Sequence, residues 1–155
     1  MKSLLIVCAL ILMSCAATPS QKLPVMQKNA ELLVSQGQGG TEESGFRIIK
    51  DEKEYLAVAN SGFQLIEEGK NPASNYPKFP KDKKVVLYNL GGFRSGSHTI
   101  SQIKNVSVKD NVLYVEVPAA PPSGGMEIQV ISNPWFMFAV PVDYQFSSVQ
   151  LKYSK

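Results

Sequence analysis

Lys84-Val85-Val86-Leu87-Tyr88-Asn89-Leu90 is nearly continuous in apolar residues and rich in β-branched and aromatic side chains. A run this short and this apolar suits a central strand covered on both faces. Farther along, Asn111-Val112-Leu113-Tyr114-Val115-Glu116-Val117-Pro118 behaves differently, placing Leu113, Val115 and Val117 on one side and Tyr114 and Glu116 on the other. It reads as a strand with one face in the core. Lys109-Asp110-Asn111 supplies the turn before it, and His98 to Lys109 alternates loosely enough to form one bent strand. After the punctuation Pro121-Pro122-Ser123-Gly124-Gly125 come three more strand candidates. These are Met126 to Ser132, then Trp135 to Val142 beyond the break Asn133-Pro134, and Ser147 to Tyr153, where Val149, Leu151 and Tyr153 alternate with Gln150 and Lys152.

Toward the N-terminus, Glu31-Leu32-Leu33-Val34-Ser35 and Phe46-Arg47-Ile48-Ile49-Lys50 read as two strands joined by a connection bearing Gly37-Gln38-Gly39-Gly40. A helix is predicted next. Asp51 is an N-cap with Glu54 three residues on to answer it, Tyr55, Leu56 and Ala59 share a face, and Asn60-Ser61-Gly62 stops the run. A second helical turn is predicted over Phe63 to Glu68, and Gly69 to Asp82, with Pro72, Pro77 and Pro80, reads as a loop. Many short strands with Gly and Pro punctuation imply a mainly antiparallel β-sheet forming a small sandwich or partial barrel. With one or two short helices after the second strand, the fold class is α+β. No internal repeat is evident.

The first fifteen residues read as an address. Lys2 gives a charged start, Leu4 to Leu12 form an apolar block too short to span a bilayer, and small Ser14 precedes Cys15. Leu12-Met13-Ser14-Cys15 resembles the lipobox of bacterial lipoproteins, in which the chain is cut before the cysteine and the thiol is acylated. Met13 departs from the small or β-branched residue usual at its position. The expected organisation is a signal peptide at 1–14, a lipidated Cys15 with a flexible tether to residue 28, and a single β-rich domain over 29–155. Each acyl CH₂ buried in lipid contributes about 0.8 kcal/mol and one chain anchors only marginally, so two or three chains (palmitate or a similar acid) make the attachment permanent. Thirteen tether residues, Ala16 to Lys28, reach at most about 40 Å. The longest later apolar run, Trp135 to Val142, is too short for a membrane helix. Ala16 is not an aspartate, and aspartate after the lipid-bearing cysteine is what retains some lipoproteins at the inner membrane. The expected location is therefore the bacterial cell envelope, at the outer membrane or cell surface, with the lipid bilayer engaged through Cys15.

The whole chain carries a formal charge of +3, and loss of Lys2 with the signal lowers it by one. No basic block remains, because Lys81-Asp82-Lys83-Lys84 is broken by an acid, so nucleic acid is not expected as a partner. With Cys8 removed and Cys15 acylated, the domain has neither free thiol nor disulfide, and its stability comes from packing.

Catalytic and metal motifs are sparse. His98 is the only histidine, Ser95, Ser97 and Asp110 lie near it in sequence, and the nucleophile-elbow pattern Gly-x-Ser-x-Gly is absent. A turn or strand-edge histidine is the favoured reading. One histidine and one acylated cysteine cannot furnish an ordinary zinc set, and the acidic residues are not spaced as in calcium loops, so neither metal nor other cofactor is expected. Gly91-Gly92-Phe93-Arg94-Ser95-Gly96 follows a strand but lacks the Gly-Lys-Ser/Thr ending and precedes another β-like segment, which favours a hairpin turn over a phosphate cradle. Asn105-Val106-Ser107 formally fits a glycosylation acceptor, which carries little meaning in a bacterium.

Val85-Val86-Leu87-Tyr88-Asn89-Leu90-Gly91-Gly92, Ser95-Gly96-Ser97-His98-Thr99-Ile100, Leu113-Tyr114-Val115-Glu116-Val117, Pro121-Pro122-Ser123-Gly124 and Asn133-Pro134-Trp135 to Val140-Pro141 follow one another over residues 84 to 142. In this order they resemble the PrcB C-terminal domain family. Ser97 and His98 stand where that family tends to show a second glycine and a tyrosine. The resemblance implies a non-enzymatic lipoprotein, since the family's named member belongs to a surface protease complex that it helps assemble or stabilise. It supplies no binding residues.

A protein interface is the expected working part, and Tyr76, Phe79, Phe93, Arg94 and Trp135 are the candidates, being aromatic or arginine side chains in or beside loops. Each has a structural alternative: Trp135 is suited to sealing the core, and Tyr76 and Phe79 to pinning the proline loop. The expectation is a membrane-anchored, non-enzymatic interaction module for another envelope or surface protein. The alternative is a small-ligand-binding or protease-inhibitory β-domain, which would require a concave cavity or a protruding rigid loop.

Overall fold

The computed structural model describes residues 30–61, 76–94, 98–119 and 129–155. The expected signal, Cys15, the tether, the second helical turn and the loop at 121–125 lie outside the described residues. Within these, seven strands and one helix follow the order β1 (Glu31–Gln36), β2 (Gly45–Ile49), α1 (Glu52–Ala59), β3 (Lys83–Asn89), β4 (Asn105–Lys109), β5 (Val112–Pro118), β6 (Trp135–Pro141) and β7 (Ser148–Ser154). Four strands make a sheet of order β1-β6-β3-β2 with all neighbours antiparallel. Three make a second sheet, β4-β5-β7. The class is α+β and sheet-dominated, with two packed sheets and no closed barrel.

The layering follows from the side-chain period of two. Along β6, Phe136, Phe138 and Val140 face the second sheet, while Trp135, Met137 and Ala139 face α1. Every one of those six side chains is buried, which explains why the strand contains no polar residue. β3 splits the same way: Val86 joins the core between the sheets, and Val85 and Leu87 join the core beneath the helix. The expected central strand is thus central, and β6 lies beside it with Val86 opposite Phe138 and Leu87 opposite Met137.

The helix has eight residues, too few to be stable in isolation. Its N-terminus is held as the sequence predicts, with the Asp51 side chain accepting from the Glu54 amide at 2.8 Å. Glu54 answers one residue earlier than a standard capping box, accepting from the Lys50 amide at 2.9 Å and pairing with Arg47. Tyr55 and Ala59 are buried against the first sheet, and their burial is what keeps α1 in place.

The second sheet holds the one parallel pairing among the described strands of this mainly antiparallel fold. β4 and β5 form an antiparallel hairpin whose two-residue loop, Asp110-Asn111, has positive φ at both positions (51° and 62°). That is the turn twist that matches the twist of paired strands. β7, however, pairs with β5 in parallel. The chain leaves β5, crosses to the first sheet as β6, and returns, so β7 starts beside the start of β5, where the Ser147 amide donates to the Asn111 carbonyl at 2.9 Å.

Two predicted strands are shorter than expected. Of His98 to Lys109 only Asn105–Lys109 enters a ladder, although Ile100 and Ile103 are still buried between the sheets. Of Met126 to Ser132, the described residues carry a single bridge, Ser132 to Phe93, and Val130 and Ile131 are exposed.

Phe138 lies fully buried between the sheets, with its ring 5.3 Å from that of Phe136. Phe138→Ala is expected to destabilise the protein by about 3–5 kcal/mol, whereas Val142→Ala, at a position 65% exposed, should change stability by less than about 0.5 kcal/mol. Urea unfolding of the two variants beside the parent checks this, and similar midpoints for both would refute the two-core arrangement.

Candidate functional site

The five candidate interface residues do not converge. Tyr76 and Phe79 flank the helix: the Tyr76 hydroxyl donates to the Ala59 carbonyl at 2.9 Å, and the Phe79 ring stands 5.7 Å from that of Tyr55. The Tyr55 hydroxyl donates in return to the Pro77 carbonyl at 2.9 Å. These exchanges satisfy one of the orphan carbonyls at the helix end and fasten the 76–80 segment onto α1. Trp135 is 1% exposed, packs in the helix-side core and donates its Nε1 to the Gln38 carbonyl at 2.9 Å. It is a core residue with no surface to offer a partner, because β6 begins at Trp135 with both faces already covered. Half-buried Phe93 and exposed Arg94 stand together at a loop away from these.

That loop belongs to a cluster at one end of the first sheet, where β1 ends, β2 begins, β3 ends and β6 begins. Three segments meet there and are laced by main-chain bonds. The Gly40 amide donates to the Asn133 carbonyl at 2.8 Å, Gly92 to Glu42 at 2.9 Å, Leu90 to Pro134 at 2.9 Å, and Phe93 and Ser132 exchange a reciprocal pair at 2.8 and 2.9 Å. Side chains add to the lacing, with Gln38 Nε2 donating to the Ile131 carbonyl at 3.0 Å. The close approach explains two glycines. A Cβ on Gly40 would lie 2.6 Å from the Asn133 carbonyl oxygen, and Gly91 has a φ of +97°.

On this frame sit Ile131, 73% exposed, Val130, 45% exposed, Phe93 and Arg94. The Phe93 ring stacks on the His98 imidazole with centroids 3.7 Å apart. Ser95 and Ser97 lie outside the described residues, and Asp110 is taken up in the β4–β5 turn. Two depressions flank Glu42. One, of about 430 Å³, is lined by Thr41 to Arg47 and Asn89, and the other, of about 260 Å³, by Glu42, Gly92, Phe93, Arg94, Ile131 and Asn133. Small-molecule sites span roughly 300–1,000 Å³ and are mostly apolar, so the smaller hollow is of side-chain size and the larger has the wrong lining. Among the described residues no three His, Cys, Asp or Glu side chains gather as a metal-binding group. No described helix is long and apolar enough to cross a membrane.

Ile131, Val130, Glu42 and Asn133 are the residues that reading the sequence missed. Ile131 fits a strand pattern, and the one available sign of its exposure was the polar Ser132-Asn133-Pro134 that follows directly and ends any ladder. No protein-family model, curated protein or solved structure matches this chain.

Burial raises the phenol of Tyr55 to about 12, with the neighbouring Tyr76 and Glu31 adding to the rise. Burial raises Tyr76 as well, and also Tyr88 and Tyr153. The unfolded chain releases the Tyr55 proton near pH 10 while the folded chain holds it, so stability is full below pH 10 and falls as pH climbs from there to 12. Tyr55→Phe should lower stability at neutral pH by about 1 kcal/mol through loss of the bond to Pro77, yet lose less between pH 10 and 12 than the parent. Denaturant midpoints across that range test it; parallel curves would remove Tyr55 as a contributor. Gly40→Ala should cost about 1–3 kcal/mol through the clash with Asn133 and loosen the loop cluster, seen as faster exchange of the Gly92 and Phe93 amides.

Proposed function

We propose that this chain is a lipid-anchored protein of the bacterial envelope and works as a non-enzymatic interaction module through its laced loop end. The observation that carries the proposal is the exposed pair Val130 and Ile131 beside Phe93 and Arg94, held on a frame of main-chain hydrogen bonds. Preorganised loops lose little entropy on docking, and apolar, aromatic and arginine side chains supply most of the binding energy at protein interfaces. The lipobox-like Leu12-Met13-Ser14-Cys15 supports the anchoring, and the likeness of residues 84 to 142 to the PrcB C-terminal domain family, which rests on the quoted residues alone, supports a role in holding or stabilising an envelope or surface protease complex.

The start of β1 and the loop cluster lie at opposite ends of the first sheet. Ala30, the first described residue after the expected tether, leads into β1 beside Pro141 and Lys83, whereas the loop cluster lies where β1 ends and β6 begins. A seven-residue strand such as β3 is about 20 Å long, so the loop end stands that far from the tether end.

Two measurements test the proposal. Palmitate labelling should mark the parent and leave Cys15→Ala unlabelled; equal labelling would remove Cys15 as the anchor. A photocrosslinking amino acid at position 131 should capture a defined envelope protein in intact cells, while the same group at position 142, similarly exposed at the tether end, should not. Equal capture at both positions, or none at 131, would overturn the loop end as the docking surface.

A further inference from the structure

The charges on the loop end are balanced. Glu42 and Arg94 are both exposed and both line the hollow of about 260 Å³, beside Ile131, 73% exposed, and Val130, 45% exposed. They are rooted at separate points of the rim. The Glu42 carbonyl accepts from the Gly92 amide, while Arg94 lies two residues farther on, across the Phe93–Ser132 bridge from Ile131. Among the described residues the ion pairs are Arg47 with Glu54 and Lys83 with Glu31, so neither charge at the loop end is neutralised by another described residue. One carboxylate and one guanidinium beside an apolar centre favour neither an acidic nor a basic partner. Such a patch complements itself: turned about a twofold axis, each charge meets its opposite and apolar surface meets apolar surface.

The geometry points to a second copy of this chain as what docks at the loop end, in a symmetric pair in which Arg94 of each copy meets Glu42 of the other and the Val130 and Ile131 side chains meet at the axis. This assignment rests on the interaction-module reading and names its partner. Contact between two identical patches closes as a dimer and leaves no free patch from which a filament could grow. Arg94 suits the contact, because a guanidinium can give a carboxylate two parallel N–H bonds. Exposed ion pairs add little energy, so the apolar centre supplies most of the affinity and the charges fix the register. Few residues take part on each side, which places the interface below the standard size of about 1,600 Å² and makes the pairing reversible. With each loop end about 20 Å from its tether end, the two tether ends stand about 40 Å apart, within reach of one membrane for the expected tethers.

The experiment co-expresses two full-length copies with different tags, each carrying an aliphatic photocrosslinking amino acid at position 131, and measures the crosslinked product that holds both tags in intact cells. The parent pair should give this product, and the same group at position 142 should not. Arg94→Glu in both copies, or Glu42→Arg in both, should lower the yield about tenfold by setting like charges together. One copy with Arg94→Glu and the other with Glu42→Arg should restore it, because every contact is then again between opposite charges. Restoration also excludes misfolding as the cause of the two losses. No doubly tagged product from the parent pair, no loss in either matched pair, or no recovery in the mixed pair would overturn the symmetric dimer. If position 131 then still captures a different envelope protein, the docking surface stands and only the self-pairing falls; if it captures nothing, both fall.

Discussion

Burial of β6 on both faces is the constraint on which the rest of the molecule depends. Trp135, Met137 and Ala139 complete one core and Phe136, Phe138 and Val140 the other, so a single strand holds the helix to one side and the second sheet to the other. Fully burying a large apolar side chain contributes about 1.5–3 kcal/mol, and net stability is commonly only about 5–15 kcal/mol, so no small group of residues elsewhere could replace this strand. Its neighbours follow from it. β1 and β3 must flank β6 to satisfy its main-chain groups, which leaves β1 and β2 at the sheet edges. β1 carries a register shift between Leu32 and Val34, and β2 presents Arg47 and a glycine, features that discourage pairing with stray strands.

The same strand explains the chain's path. A segment with no polar residue cannot sit in the outer layer, so after β5 the chain must cross into the middle sheet, and the return places β7 parallel to β5. Both crossings need connections, and the one before β6 brings Ile131 to Pro134 onto the loops that follow β1 and β3. Gly40 and Phe93 then find carbonyl acceptors on that connection, while Gly92 finds one on Glu42 in the loop after β1. The loop cluster owes its order to the burial of β6, because Trp135, its first residue, ties Gln38 down through the indole N–H.

Features governed by neighbouring residues were legible in the sequence. The alternation in β5, the apolar run in β3, the Asp51 cap and the Asp110-Asn111 turn each depend on a few adjacent positions, and all of them stand where the pattern puts them. Pairing partners were not legible, since register between β5 and β7 is decided by a strand in another sheet. Trp135 shows the difference at a single residue: its position after Pro134 marks the start of a strand, but whether its ring meets solvent or core depends on α1 and on Gln38, remote in sequence. The loop end was half legible. Phe93 and Arg94 announce themselves as interface types, whereas Ile131 and Asn133 gain their meaning only from the segments they meet.

The hydrogen-bonded lacing of the loop end and the absence of cysteine among the described residues are linked by one physical argument. Small domains commonly fix their loops with cystine bridges, and the described residues of this chain contain no cysteine. Main-chain hydrogen bonds between loops are a workable substitute only where water is kept from competing with them. Here Trp135 and Met137 seal the sheet directly beneath, and glycine at position 40 lets the backbones approach to bonding distance without a side chain between them. The arrangement leaves little tolerance, since a single Cβ at that position would part the two segments. It follows that the surface offered to a partner is only as ordered as the core it stands on, and that changes in β6 would be felt at the loop end before the domain as a whole unfolded.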